Sequence, residues 1–309
     1  MPPDAPPLVI GTRGSPLATR QAGLVRDALA GRFGDELPTE IRVVRTRGDV
    51  DRRSLSQIGG QGVFTAELER ALLDGRVDLA VHSLKDLPTT MDPRLRLAAV
   101  PEREDVRDVL VSRGGAGLDD LPAGASVATG SARRRAQLAA VRPDLTFVDL
   151  RGNVDTRLAR VAAGEVDAVV LAAAGLRRLG REEEISGHLD PLTVLPAPGQ
   201  GALGLQMRAD DGRARLVAAL THPPTLAAVT AERAFLAGLG GGCGTPIGAW
   251  GRSGDGGLRV DGAVLSPDGR DSTRDSVLGP LEAADSLGAD LAGLVKARGG
   301  QAILSACAA

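Results

Sequence analysis

Two stretches of this chain echo each other weakly. Gly75-Arg76-Val77-Asp78-Leu79-Ala80-Val81 and Gly164-Glu165-Val166-Asp167-Ala168-Val169-Val170 both run Gly-x-Val-Asp into an apolar segment. A glycine closing a helical pattern is a stop signal, and a short apolar run behind it reads as a buried strand. The recurrence points to two halves built on one α/β unit. In such folds chemistry collects at the carboxyl ends of the strands. The first copy runs into His82-Ser83-Leu84-Lys85-Asp86-Leu87-Pro88-Thr89, the second towards Ala174-Gly175-Leu176-Arg177-Arg178-Leu179-Gly180.

The rest of the chain fits that frame. Leu8-Val9-Ile10-Gly11-Thr12 reads as a strand, followed by Arg13-Gly14. Ser15 is an N-cap with Pro16 at the first helical position, and Leu17, Leu24, Val25, Ala28 and Leu29 keep helical spacing. Arg13 and Ser15 thus stand where α/β folds bind anions, though a plain surface turn fits as well. Ile41–Arg45 alternates as a second strand, and Phe64–Leu73 is helical. Residues 46–62 between them are polar and glycine-rich, as lids and binding loops are. Lys85 and Asp86 at a strand end suit chemistry on an anionic substrate; an exposed ion pair is the plainer reading. His82 and Ser83 are adjacent on a strand and point to opposite faces, so they form no dyad.

Beyond a charged linker at Arg103–Asp108 the α/β pattern restarts. Ser126–Gly130 is a strand and Ser131 caps the next helix, whose first turn holds Arg133-Arg134-Arg135. Cations there oppose the helix dipole, which favours a bound anion as much as a solvated basic face. Phe147–Leu150 is another strand, with Arg151 at its end and Arg157 on the following helix. Leu195–Ala202 is a proline- and glycine-rich crossing. With the linker it would hinge two halves about a cleft, a common ligand site. Helices are expected near 210–220 and over Leu226–Leu239, then the loop Gly240-Gly241-Gly242-Cys243-Gly244-Thr245-Pro246. Glycines around Cys243 strip the thiol of cover, and it is either an ordinary free cysteine or one presented to a cleft. Residues 247–309 alternate short strands with glycine turns and end in a helix near 281–298. The expected domains are 5–102 with 200–220, then 107–196, then a small α+β domain over 223–309.

Composition excludes several function classes. A net charge of −2, an aromatic fraction of 2% and no Tyr argue against a nucleic-acid surface. No apolar run is long enough for a bilayer span, and the N-terminus lacks a signal-peptide pattern, so the chain reads as cytoplasmic. Two cysteines give no disulfide framework, and three scattered histidines give no metal-ligand spacing. Only two of the 37 basic residues are lysine, so Lys85 inside a motif stands out.

The segment Val81–Thr89 resembles the active-site signature of the porphobilinogen deaminase (hydroxymethylbilane synthase) family. Gly11–Ala18, Thr46-Arg47-Gly48-Asp49, Thr129–Arg134, Leu150–Arg157, Ala174–Gly180, Pro198-Gly199-Gln200-Gly201, Ala231-Glu232-Arg233 and Gly241-Gly242-Cys243 are similar to its other motifs, in order from about residue 8 to 250. The resemblance implies two doubly wound, periplasmic-binding-protein-like α/β domains flanking a cleft, plus the small C-terminal domain. It implies a transferase that condenses four porphobilinogen molecules head to tail with loss of four ammonia. Water then releases hydroxymethylbilane to the next pathway enzyme. The chain would grow on a dipyrromethane cofactor held by a thioether to Cys243, in a monomer.

On that resemblance Asp86 is the catalytic acid. Lys85, Ser83, Thr129, Ser131, Arg133 and Arg134 would hold the cofactor; Arg13, Ser15, Arg151, Arg157, Arg178 and Gln200 would meet the substrate chain. Guanidinium forks suit a ligand rich in acetate and propionate groups. The sequence departs from the pattern at Gln61 and near Ala66, where many members carry lysine; Arg52 and Arg53 are available instead. The alternative is a periplasmic-binding-protein-like module that binds an anion without catalysis, which needs neither Cys243 nor Lys85-Asp86.

Overall fold

The computed structural model describes residues 6–45, 65–241 and 244–308. Cys243, Arg52, Arg53, Gln61 and the motif Thr46–Asp49 lie outside the described residues. The chain divides into two compact units, Met1–Arg103 with Ala202–Leu226, and Glu104–Gly201 with Ala227–Ala309.

The first unit begins β1 (Leu8–Thr12), α1 (Pro16–Phe33), β2 (Thr39–Val43), α2 (Ala66–Leu73), β3 (Leu79–Ser83) and β4 (Leu95–Ala99). The second supplies β5 (Asp108–Ser112), β6 (Ser126–Ala128), α3 (Ala132–Val141), β7 (Thr146–Val148), α4 (Val154–Ala162), β8 (Ala168–Ala172), α5 (Ala173–Arg178) and β9 (Gly187–His188). The chain returns to the first unit for β10 (Leu203–Arg208) and α6 (Ala214–Val217). It closes with α7 (Pro223–Gly238), β11 (Ile247–Gly254), β12 (Gly257–Leu265), β13 (Ser272–Gly279), α8 (Ala284–Val295) and α9 (Gln301–Ala308).

The two Gly-x-Val-Asp segments occupy equivalent places in two sheets of one plan. The first sheet has the order β2-β1-β3-β10-β4 and the second β7-β6-β8-β5-β9. In each, three strands are parallel, and the strand entering after a crossing runs antiparallel beside β3 or β8. The Gly-x-Val-Asp motif has one physical task in both. Gly75 and Gly164 turn the chain at φ values of 69° and 72°, which glycine takes without steric cost. The valine is buried. The aspartate clamps the start of the neighbouring parallel strand: Asp78 Oδ2 accepts from Val9 N at 2.9 Å, and Asp167 Oδ2 from Ser126 N at 2.8 Å.

In the first unit α1 covers one sheet face, burying Val25 and Leu29 against Leu8, Ile10, Leu79, Val81 and Leu205. Each such side chain contributes about 1.5–3 kcal/mol of transfer free energy. α2 covers the other face with Leu68, Ala71 and Leu72 over Val77 and Ala80. The buried stripe of α1 is Gln21, Ala22, Val25 and Leu29, while Ala28 is exposed, so the helix is rotated from the sequence expectation. β2 begins two residues earlier than expected, and the helix expected near 210–220 is the single turn α6 followed by a 3-10 turn.

In the second unit the small sheet β11-β12-β13 is antiparallel, and α7 and α8 bury Phe235, Leu291 and Val295 against Val260 and Val264. It is joined to the larger sheet's domain by Arg274, which donates to Leu192 O at 2.6 Å and Thr193 O at 2.8 Å. The helix α9 was not expected. Gly299, at φ 106°, kinks the chain, which then resumes helix. The α/β class, with two doubly wound sheets and a small C-terminal α+β part, is as the sequence indicated.

Candidate active site

In the first unit the parallel strands β1 and β3 bring their carboxyl ends to one edge. Arg13 follows β1, and Ser15 caps α1 by accepting from Ala18 N at 3.3 Å. Ser83 ends β3, and Lys85 and Asp86 follow in the 3-10 turn Leu84–Asp86. That turn is pinned from behind. Leu84 is fully buried, and its N–H donates to Ala202 O at 3.0 Å. Lys85 and Asp86 are therefore left half-buried on the open side. Arg13, Ser15, Gln21, Thr65, His82, Ser83 and Asp86 line one pocket there.

His82 and Ser83 do face opposite ways. Ser83 Oγ accepts from Gln21 Nε2 of α1 at 2.9 Å. His82 Nε2 lies 3.0 Å from Gln206 Oε1 of β10, and Gln206 Nε2 donates to Glu69 Oε1 of α2 at 3.0 Å. Burial lowers the His82 pKa to about 4; the nearby Arg13 charge also lowers it, and the Gln206 bond opposes. The ring is neutral at physiological pH. The Asp86 carboxylate has no hydrogen-bond or ion-pair partner among the described residues, so nothing there holds it away from a ligand.

A second group of expected site residues lies in the second unit, at the start of α3. Thr129 Oγ1 accepts from Ser131 N at 3.2 Å, and Ser131 Oγ caps α3 at Arg134 N. Arg133 and Arg134 are only 4% and 6% exposed. Both meet Asp108, which is wholly buried. Arg133 Nη1 donates to it at 2.8 Å, Arg134 Nη2 at 2.7 Å and Arg134 Nε at 3.0 Å. Arg133 Nη1 and Arg134 Nη1 also donate to Leu195 O and Val170 O. Burial alone would raise the Asp108 pKa, but the two guanidinium charges and their hydrogen bonds outweigh it and hold it far below the usual carboxylate range.

The anion that the arginine pair at the α3 start meets is the protein's own Asp108. Two cations face one carboxylate, however, and Arg133 Nε is buried with no hydrogen-bond partner among the described residues. Gln200, expected at the substrate, is fully buried, and its amide donates to Val106 O and Asp108 Oδ1, both at 2.8 Å. It ties the linker and the crossing together. Gly201 beside it has φ 84°, and a Cβ there would lie 2.3 Å from Glu104 O.

The remaining arginines are partly buried. Arg157 Nε donates to Gly152 O at 2.9 Å, and Arg151 Nε lies 4.0 Å from Asp149 Oδ2. Arg178 Nη2 donates to Gly201 O at 2.6 Å; burial lowers its pKa and Glu104 opposes that shift. Sequence reasoning missed Gln21, Glu69, Gln206 and Asp108. Gln21 had a signal: it is a polar residue four before Val25 on the apolar stripe. Asp108 had none, because it reads as the end of a charged linker, whereas it is the first residue of β5.

The family model for the porphobilinogen deaminase, dipyromethane cofactor binding domain matches residues 8–215. That for the porphobilinogen deaminase C-terminal domain matches residues 226–297. The porphobilinogen deaminase of Thermus thermophilus is 48% identical over 300 residues, covering 96% of this chain and 98% of its own. That of Leifsonia xyli subsp. xyli is 54% identical over 267 residues, covering 85% of this chain and 80% of its own. Among solved structures, a putative methionine-binding lipoprotein from Bacillus subtilis aligns at a TM-score of 0.43 and 14% identity, over 68% of this chain and 87% of its own. The two family models cover nearly all of the sequence, and with relatives near half identity over most of their length they establish that this chain belongs to the porphobilinogen deaminase family.

Proposed function

We propose that the pocket of the first unit is where this chain takes ammonia from porphobilinogen, with Asp86 as its acid. The family's reaction is the chain's reaction: a transferase condenses porphobilinogen into hydroxymethylbilane for tetrapyrrole and heme biosynthesis. The uncommitted Asp86 carboxylate, in a pocket with Arg13, carries the assignment. As the substrate's carbon–nitrogen bond breaks, the electron pair leaves with the nitrogen. Asp86 supplies the proton that keeps the departing amine a good leaving group, and its carboxylate then balances the positive charge left on the pyrrole. Arg13 and Lys85 bind substrate carboxylates. Ser15 and Ser83 add hydroxyl donors, and Ser83 is held in place by Gln21.

The family's dipyrromethane cofactor suits the second unit. The excess positive charge at Arg133 and Arg134 and the orphaned Arg133 Nε call for a further carboxylate, which each pyrrole carries. Arg133, Arg134, Thr129 and Ser131 would hold that group, with Cys243 as its covalent anchor. When bound, the cofactor supplies the pyrrole carbon on which the product grows. Arg151, Arg157 and Arg178 would meet carboxylates of the growing chain. The three-part domain division, a monomeric state, a cytoplasmic setting and transfer of the product to a following enzyme belong to the same reading. Among the described residues no helix is long and apolar enough to cross a membrane.

The test is the intact mass of the purified protein beside its Cys243→Ala variant, before and after incubation with porphobilinogen. An excess of two pyrrole units on the parent, absent from the variant, is expected. Bare mass in both after incubation, with no ammonia released, would overturn the reading in favour of an anion-binding module.

A further inference from the structure

We propose that Gln137 of α3 is a positioning residue for Arg133: by gripping the backbone of Leu195, it keeps the Nε edge of that guanidinium free for a cofactor carboxylate. The inference rests on the reading that Arg133 holds the dipyrromethane.

The grip has one direction. Gln137 is 1% exposed. Leu195 N donates to its Oε1 at 2.8 Å, and its Nε2 donates to Leu195 O at 2.9 Å. A backbone N–H only donates and a carbonyl only accepts, so a single orientation of the amide satisfies both. Arg274 of β13 adds a bond to Oε1 at 3.2 Å, and Nε2 also reaches Arg133 O at 3.4 Å. Leu195 therefore cannot turn without breaking two buried hydrogen bonds, each costly to leave unmade.

The held carbonyl decides how Arg133 meets Asp108. Leu195 O and Asp108 Oδ2 both accept from Arg133 Nη1, which spends its two hydrogens on them. Arg134 shows the other arrangement, with Nε and Nη2 closed side-on around Asp108 Oδ1. Arg133 makes no such fork, and its Nε is buried with no hydrogen-bond partner among the described residues. Burial lowers the Arg133 pKa; Asp108 opposes that shift and Arg134 adds to it, so an unfilled Nε on this cation is costly. With Leu195 O out of place, the guanidinium would rotate and spend Nε on Asp108, as Arg134 does. The edge left for an outside carboxylate would then be lost. Gln137 touches no ligand in this scheme and acts through Arg133.

The experiment compares cofactor uptake by the parent, Gln137→Met and Leu138→Ala. Each is prepared free of cofactor and incubated with porphobilinogen at a temperature where all are folded. Leu138 is fully buried on the same helix and takes no part in these bonds, so its truncation weakens α3 without releasing Leu195. Intact mass follows the gain of two pyrrole units. Gln137→Met should load about tenfold more slowly than the parent, the worth of one hydrogen bond to a charged group, and Leu138→Ala close to the parent rate. Nitrogen NMR of the arginine Nε–H groups, with Arg133 assigned by its loss in Arg133→Lys, gives a second readout. In the cofactor-free parent the Arg133 Nε–H should lie outside the hydrogen-bonded range and enter it on loading. In cofactor-free Gln137→Met it should lie there already. Should Gln137→Met not fold, Gln137→Glu keeps an acceptor for Leu195 N, cannot donate to Leu195 O, and should load as slowly. Equal slowing in the Gln137 variant and Leu138→Ala, or the same Arg133 Nε–H signal in cofactor-free parent and Gln137→Met, would show that Gln137 only joins α3 to the crossing. If the parent itself gains no pyrrole mass, the reading of the cofactor site fails; a parent that loads beside a Gln137 variant that loads as fast removes the Gln137 inference alone.

Discussion

Replacing Asp108 by Asn removes one buried charge and almost nothing else. The carboxylate is wholly buried and accepts from Arg133, from two nitrogens of Arg134 and from Gln200, all within 3.0 Å. In the variant an amide NH2 replaces one oxygen and faces a guanidinium that needs an acceptor. Two buried cations then lose their only acidic partner among the described residues. Breaking a buried pair from one side costs about 3–5 kcal/mol, and two stranded guanidiniums place the cost in the upper part of that range. For a unit of this size that is a fall in melting temperature of about 8–20 °C. Differential scanning calorimetry with hydrogen exchange on β5 and α3 would locate the loss in the second unit. The cofactor-loaded form should lose less than the apo form, since a bound carboxylate supplies part of the missing charge. A change below about 1 kcal/mol, equal in both forms, would refute the reasoning by showing that the guanidiniums find water or another anion at no cost.

Asp86→Asn should lower ammonia release at least about a hundredfold, the usual worth of a positioned acid, while thermal stability stays near the parent because no described residue depends on that carboxylate. His82 gives a pH signature. Its ordinary pKa of 6.5 falls to about 4 in the fold, so its contribution is complete above pH 6.5 and is lost as the pH falls towards 4. The sum is about 3 kcal/mol, and urea titrations of His82→Gln should show a flatter dependence across that window. Gly201→Ala should weaken the crossing, because its φ of 84° is strained for alanine and the new methyl meets Glu104 O; limited proteolysis near residues 104 and 201 should rise.

The sequence alone carried the α/β class, the paired Gly-x-Val-Asp units, the strand ends and the residue types gathered there. These are local properties: a glycine stop, a buried run and a capping serine act within a few residues of themselves. Arg13, Ser15, Ser83 and Asp86 were legible for that reason, since parallel strands must place their carboxyl ends on one edge. Tertiary structure decided what each charged side chain meets. Asp108 and Gln200 lie more than 90 residues apart in sequence, and no periodicity announces that one carboxylate will gather Arg133, Arg134 and Gln200. The same holds for the line from His82 through Gln206 to Glu69, which joins two strands and a helix. A guanidinium on a strand end reads as a ligand for an outside anion until the fold brings an inside anion to it. Whether it does depends on long-range packing, which the local code does not record.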